Sequence, residues 1–542
     1  MERFISRTKN FIFSRQKSII STAMLLSFMI ILTSLSGFLR YRVLANYFNK
    51  NDLDIFLASF RLPDLIYEIL ITGAITSTFI PIYVRYKNDK ESLNVNISSI
   101  INLILVTLTL FIIVIYLFLG KIIPLLTPGY DTIKMEKIIY FSRLLLVGQL
   151  PFFVLGNFLT GIGQANKTFF LSALAPIIYN SVTIASTILF AGFFGLQAPV
   201  WGVIIGAILL FIIQLPLLLD SGFSFRMIIK KTQGLIDFFR LVIPRALTVI
   251  VAQIDATIDL TLATLLGNGA YTVFYFAQHL QLLPVSVVGI AFGQASLPYL
   301  SEIFQEKKME EFKKIVTDSL LNLLFLTIPV AVFFIFARTP LIRLFFGGQK
   351  FDWDATVQTA ITLSYFSLGL PFHSIYYLLT RCFYALLDSR TPFYISASSI
   401  VINTALSLLF VFYFHFPIQA LAVSFSVSMM INSSSLFFLL WRKIGGFNWG
   451  FLFSELSKMI LSSGLSAIAA YYSMKLLDGL IIDTSFTINV FILLAVVFSI
   501  FGLLYLFIGW LIDLKQIYLV TKLLIKTKNY QKKITEVYSQ YE

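Results

Sequence analysis

The sequence predicts an all-α polytopic membrane protein of about fourteen transmembrane helices. Three observations predict it. Hydrophobic residues make up 58% of the 542 and charged residues 13%, against roughly 45–50% and about 25% in soluble domains; mean hydropathy is +0.86. Uncharged runs recur at bilayer length: 22 residues separate Lys17 from Arg40, and about 20 apolar residues cross the hydrocarbon core as a helix. The runs lack period-2 alternation, and only helices or closed barrels satisfy every backbone group in lipid.

The spans fall near 18–47, 53–84, 96–120, 138–163, 169–192, 197–219, 236–266, 270–301, 314–337, 355–386, 391–414, 417–440, 451–474 and 486–512. Ahead of them lies a basic tail, 1–17, with Arg3, Arg7, Lys9, Arg15 and Lys17. The run behind it is too long for a signal-peptide core, so the first span is expected to stay in the protein. Spans 1–6 (18–219) form an expected N-lobe. The longest connection, 220–235, reads "DSGFSFRMIIKKTQGL" and is an amphipathic linker. Spans 7–12 (236–440) form an expected C-lobe, and 441–512 carries spans 13 and 14. The tail 513–542 is basic, amphipathic and too polar to cross.

Two patterns support this organisation. "FLSALAPIIYN" (170–180) parallels "FYISASSIVIN" (393–403) at an offset of 223, and Pro63 and Pro284 repeat at 221. Paired repeats are how many transporters are built around a midplane site. With the N-terminus inside, cytoplasmic segments hold 24 Lys and Arg, external loops 8 and the spans 9, of which Arg240 and Lys314 sit at cytoplasmic span ends. That bias places both termini in the cytoplasm. It also assigns the +14 net charge to loops facing an anionic leaflet rather than to nucleic acid.

Catalytic chemistry finds little support. Cys382 is the one cysteine, which excludes an internal disulfide, and His279, His373 and His415 show no metal spacing. "GIGQANKT" (161–168) nearly matches a phosphate-binding loop, but Asn166 stands at the second glycine and the stretch joins two spans. A transporter is therefore expected, not an enzyme, with no cofactor and no firm metal site.

Charges inside spans usually face a bundle interior or a hydrated path. In span 1, Thr33, Ser36 and Arg40 form a polar stripe. In span 2, Asp54, Arg61, Asp64 and Glu68 fall at i, i+7, i+10 and i+14, one helical face, with Pro63 inviting a kink. In span 7, Arg245, Thr248, Asp255 and Asp259 do the same. Gln278, His279 and Arg381 add polar groups in spans 8 and 10. The expectation is a hydrated cavity whose arginine forks suit phosphate or carboxylate, with Asp255 and Asp259 either a cation site or a structural pair with Arg245.

"SGFLRYRVLANYF…DIFLASFRLPDLIYEILITGAITSTFIPIYVRY" resembles the N-terminal signature of the MurJ/MviN family, lipid II flippases of the multidrug/oligosaccharidyl-lipid/polysaccharide superfamily. "TPGY" (127–130), "APIIYN" (175–180), "IPRALTVIVAQID" (243–255), "FAQHLQLLPVSVVGIAFGQASLPYLS" (276–301), "PLIRLFFGGQKFD" (340–352) and "RCFYALLDSRTP" (381–392) extend the likeness over about residues 20–515. The resemblance implies fourteen helices, two six-helix lobes and transport of an undecaprenyl-pyrophosphate-linked peptidoglycan precursor between leaflets of the bacterial inner membrane. Arg40, Asp54 and Arg61 match family positions. Ser34, Tyr67 and Thr72 replace family charges, and Gln278-His279 replaces an Asp-Arg pair. The expected substrate-contacting set is Arg40, Asp54, Arg61, Gln278, His279 and Arg381. The resemblance adds a cation site built on Asp255, Asp259, Asn403 and Ser407, with Na+, H+ or the membrane potential as energy source. The expected partners are lipid II and membrane lipids, with no nucleic acid and a monomeric chain. A flippase for another polyprenyl-linked glycan, and a cation-coupled small-molecule exporter, are the alternatives.

Overall fold

A computed structural model describes residues 19–72, 78–219, 221–480, 483 and 486–517, apart from the side chains of 19–27, 72, 241, 244, 245, 247, 248, 251, 252, 479 and 480. The tail 1–17, residues 518–542 of the C-terminal tail, and the side chains of Arg245, Thr248 and Thr72 thus lie outside the described residues. The described chain is helical, without strands. Among the described residues, eleven helical stretches are long and apolar enough to cross a membrane, which supports the multi-span fold without confirming the count of fourteen. The three missing are expected spans 2, 7 and 10, which carry Asp54, Arg61 and Asp64, then Asp255 and Asp259, then Arg381. Two of them are single helices of 33 residues, about 50 Å at 1.5 Å per residue. Length does not disqualify them: expected span 7 has side chains outside the described residues, and expected span 10 is rich in Ser, Thr and Tyr.

The chain divides into two compact units, Met1–Thr272 with Phe345–Ala355, and Val273–Leu344 with Thr356–Glu542. The first unit thus runs past the 220–235 linker and holds expected span 7. Its helices are α1 (Ile19–Tyr47), α2 (Lys50–Ser59), α3 (Arg61–Tyr67), α4 (Ile80–Tyr86), α5 (Lys90–Leu126), α6 (Thr132–Gly148), α7 (Leu150–Ala165), α8 (Phe170–Phe194), α9 (Gln197–Ile212) and α10 (Gln233–Leu265). α8 packs on both α1 and α9, and α5 on both α6 and α10. Gly129, in the "TPGY" turn, lets the backbone meet α10: a Cβ there would lie 2.0 Å from the Thr264 carbonyl oxygen.

Expected span 2 is kinked, as Pro63 predicts: Phe60, between its two helical segments, keeps helical backbone angles (φ −80°, ψ −18°). Those segments end at Ser59 and begin at Arg61, and Glu68–Thr72 continues as a π-helix. Pro63 has no N–H to give the Ser59 carbonyl and its ring crowds that carbonyl. The carbonyl instead accepts a bond from the Ser142 hydroxyl of α6 at 2.9 Å. The interruption therefore falls at Phe60, before the proline, and Tyr271 lies in the field of Asp54, Arg61 and Asp64 alike.

The second unit begins within α11 (Ala270–Pro284), which a π-helical turn, Val285–Ile290, joins to α12 (Ala291–Gln305). A π-helical turn thus follows Pro284 as one follows Pro63. Then come α13 (Met309–Phe336), α14 (Arg338–Phe346), α15 (Trp353–Ala385), α16 (Arg390–Leu408), α17 (Gln419–Ile444), α18 (Trp449–Leu480) and α19 (Thr487–Leu511). Small hydroxyl residues join these helices, as expected where lipid offers no hydrophobic drive to pack. Ser399 and Ser428 pair at 2.7 Å between α16 and α17. Ser426 and Ser433 each donate to α15, at the Tyr365 and Phe372 carbonyls, both 2.6 Å. Tyr505 of α19 donates to the Phe325 carbonyl of α13 at 3.0 Å.

The loop before α16 carries a titratable clamp. Asp388 accepts from the Thr391 amide (3.0 Å) and hydroxyl (2.8 Å) and pairs with Lys443. Burial alone would raise its carboxyl, but these donors hold it at about 2. Its folded value lies below the unfolded value of about 3.9. The stabilisation is therefore complete above about pH 4 and lost as pH falls through about 2. Asp388→Asn should lower stability near neutral pH by about 1 kcal/mol, as loss of a helix cap does. In thermal unfolding of detergent-solubilised protein, the gap from wild type should close on acidification over that window.

Candidate functional site

The kinked span places Arg61 at the start of α3, where its guanidinium reaches α10. Nη2 donates to the Gln253 carbonyl at 2.6 Å and the Thr257 hydroxyl at 2.7 Å, and Nε donates to the same hydroxyl at 3.1 Å. Arg61 also lies within electrostatic reach of Asp64 and Asp259. Arg40, on α1, acts on Asp64 as well; its guanidinium carbon lies 4.7 Å from the Tyr41 ring centre and 5.5 Å from that of Tyr179. Glu68 acts on Asp64, and Asp255 on Asp259. One charged cluster in the first unit therefore unites Arg40 and Arg61, expected to hold substrate, with Asp255 and Asp259, expected to hold a cation. Asp64 keeps an exposed surface, whereas Asp259 is buried. Tyr271 lies in the field of both Arg61 and Asp64.

Two guanidiniums here meet four carboxylates, those of Asp64, Glu68, Asp255 and Asp259. These acids lie in the field of the arginines, while Arg61 itself is held by Thr257 and the Gln253 carbonyl.

Asp54 has a different place from the expected one. It is completely buried, and its carboxylate accepts from the Gly269 amide (2.5 Å), the Thr272 amide (2.8 Å) and the Thr272 hydroxyl (2.7 Å), with Lys134 at 3.9 Å. It caps the first turn of α11, satisfying donors that a helix start leaves without partners. Its acceptor sites are spent on the fold.

The remaining candidates lie in the second unit. His279 stacks on Tyr275 with ring centres 5.6 Å apart, and Gln278 beside it is partly buried. The Arg381 guanidinium sits 5.5 Å from the Tyr384 ring centre. Asn403 and Ser407, one turn apart, share the buried face of α16 with Ser399. The four residues expected to form a cation site thus divide between the units: Asp255 and Asp259 in the first, Asn403 and Ser407 in the second.

Of the positions that depart from the family pattern, Tyr67 accepts a hydrogen bond from Asn157 at 2.8 Å and stands on Phe153. Ser34 is exposed beside a groove that Thr33 also lines. Sequence reasoning missed Gln253 and Thr257. Their signal was their one-turn spacing, roughly opposite Asp255 and Asp259 at 100° per residue round α10. The second unit also holds an apolar groove of about 360 Å³, lined by Leu320, Leu324, Phe372, Phe437, Trp449 and Leu456 among others.

Comparison with known proteins gives a consistent picture. The family model described as "Lipid II flippase MurJ" matches residues 44–492. A relative from Burkholderia cenocepacia named "Lipid II flippase MurJ" is 25% identical over 424 residues, 75% of this chain and 81% of its own. One from Buchnera aphidicola, named "Probable lipid II flippase MurJ", is 27% identical over 431 residues, 77% of this chain and 82% of its own. Among solved structures, "Lipid II flippase MurJ, inward closed conformation" aligns with a TM-score of 0.73 at 24% identity, covering 90% of this chain and 98% of that one. An inward-facing multidrug MATE transporter of the MOP superfamily aligns at 0.65 and 14% identity, covering 78% and 98%. Both share the fold.

Replacing Asp54 should read out as stability rather than binding. Asp54→Ala leaves the Gly269 and Thr272 donors buried without an acceptor, a loss of about 3 kcal/mol. Thermal unfolding in detergent should show a marked fall. Asp54→Asn, which keeps one acceptor oxygen, should recover part of it.

Proposed function

Since this chain belongs to the MurJ family of lipid II flippases, we propose that it carries lipid II, the undecaprenyl-pyrophosphate-linked peptidoglycan precursor, from the inner to the outer leaflet by alternating access. It is a multi-pass protein of the bacterial inner membrane, working as a monomer with both termini in the cytoplasm. Transport needs no covalent step. The observation that carries the reading is the pair Arg40 and Arg61, brought into one cluster inside the first unit. Guanidinium forks match the oxygens of a pyrophosphate in geometry and charge, and neutralising it offsets the several-kcal/mol penalty of taking an ion out of water. Arg61 is pre-positioned by Thr257 and Gln253, so little side-chain freedom remains to be lost on binding. The apolar groove by Trp449 and Leu456 suits part of the polyprenyl tail.

The four carboxylates beside these arginines bear on energy coupling. An incoming dianionic group meets net repulsion unless a proton or Na+ enters with it and neutralises part of the acid set. Asp255 and Asp259, one turn apart and mutually repelling, are where that cation or proton would sit.

Two experiments test this. In a bacterium depleted of its own flippase, the wild-type chain should restore growth, and lipid II flipping in proteoliposomes should fall roughly 10- to 100-fold for Arg40→Ala and Arg61→Ala, the scale of a lost charged hydrogen bond. Full activity of both variants would overturn the assigned mechanism; failed rescue with transport of another polyprenyl-linked glycan would overturn the substrate. For coupling, Asp259→Asn should abolish the dependence of flipping on an imposed Na+ or H+ gradient. Gradient dependence equal to wild type would remove Asp259 from that role.

A further inference from the structure

Residues 221–232 have no regular secondary structure, yet their backbone is strapped along the N-terminal part of α5 by a ladder of side chains. The Ser224 amide donates to Asn94 Oδ1 (2.8 Å), the Arg226 amide to Ser98 Oγ (2.9 Å) and the Lys230 amide to Ser99 Oγ (3.1 Å). Asn102 Nδ2 donates to the Arg226 and Ile228 carbonyls at 2.7 and 2.9 Å. Arg226 closes the ladder with two bonds to Glu91, 2.6 and 2.8 Å, and Tyr83 anchors the start at the Ser221 carbonyl, 2.8 Å. The asparagines and serines at 94, 98, 99 and 102 are buried by this contact.

The register has a consequence. Even-numbered residues 224, 226, 228 and 230 turn their backbone groups to α5. The backbone bends at Met227, where the Ile228 amide donates to the Arg226 carbonyl at 2.9 Å, and the odd-numbered side chains are apolar and stand out: Phe225 is 44% exposed, Met227 91% and Ile229 51%. Lys87, Lys90, Lys230 and Lys231 are exposed around them.

Position fixes what such a row meets. α5 has 37 residues, about 55 Å, and overreaches the roughly 30 Å hydrocarbon core. Lys90 and Glu91 mark its water end, and residues 92–120 carry no charge. The strap lies beside 91–102, at the boundary of water and lipid. Irregular backbone is tolerated there only when its polar groups are satisfied within the protein, which is what the ladder does.

We propose that residues 221–232 are a membrane-interface anchor: Phe225, Met227 and Ile229 insert into the headgroup–acyl boundary while Lys230 and Lys231 bind anionic phospholipid headgroups. The partner is an anionic leaflet, recognised by apolar insertion plus charge, the combination that drives interfacial binding. The anchor ties the connection between α9 and α10 to the membrane and is independent of the identity of the transported lipid.

The test uses single cysteines at 225, 227, 228 and 229 in the full chain, labelled with an environment-sensitive fluorophore in nanodiscs of phosphatidylcholine with or without phosphatidylglycerol. Cys382 is buried, and wild type serves as the labelling blank. Labels at 225, 227 and 229 should shift to the blue and be quenched by shallow brominated lipid about twofold more than the label at 228. Lys230→Gln with Lys231→Gln should reduce selective association of phosphatidylglycerol, roughly fivefold per lysine. Water-like emission at all four positions would overturn the proposal. So would shielded labels that brominated lipid does not quench, which would mean that protein covers the row. Unchanged phosphatidylglycerol selectivity in the double variant would overturn the anionic partner.

Discussion

Three irregularities among the described residues answer to one constraint: a polar backbone group withdrawn from water needs a partner inside the protein. The clearest case is the carbonyl of Ser59. Pro63 denies it a helical donor, and Ser142 on a neighbouring helix supplies one. That single substitution of partners lets a membrane-level helix be interrupted at Phe60 without leaving the Ser59 carbonyl orphaned. The same constraint explains Asp54, whose carboxylate serves the open end of α11, and the strap on α5, whose backbone is satisfied by asparagine and serine side chains.

The candidate site is built on the kinked segment. Asp54 is buried against the start of α11, and Arg61 is tied to Thr257 and Gln253 of α10. The same arginine lies in the field of Asp64 and Asp259. On the proposed assignment, with the pyrophosphate at Arg61 and the cation at Asp259, the two would be coupled through a shared field in a medium of low dielectric, with no long path.

Much of this was legible before any coordinates. Uncharged runs of bilayer length set out the helices, and the charged interruptions at 40, 61, 255 and 259 marked the polar faces. What escaped was particular. The spacing i, i+7, i+10, i+14 groups Asp54 with Arg61, Asp64 and Glu68, but it does not show that Asp54 serves the start of α11. Gln253 and Thr257 carry no charge, so a search for intramembrane charge passed over them. "LNVNISSIIN" at 93–102 reads as the start of an apolar span, although its asparagines and serines hold a strap.

By itself, then, the sequence determined that this is an all-helical membrane protein, where its charge lies along the chain, and, through motifs spread over most of its length, its family. These follow from local composition, because bilayer thickness and backbone hydrogen bonding act on each segment separately. Only the tertiary structure decided which charges work together. Whether a carboxylate caps a helix, as Asp54 does, or faces an arginine across a bundle, as Asp259 does, depends on donors as far as 218 positions away, and no local pattern carries that information.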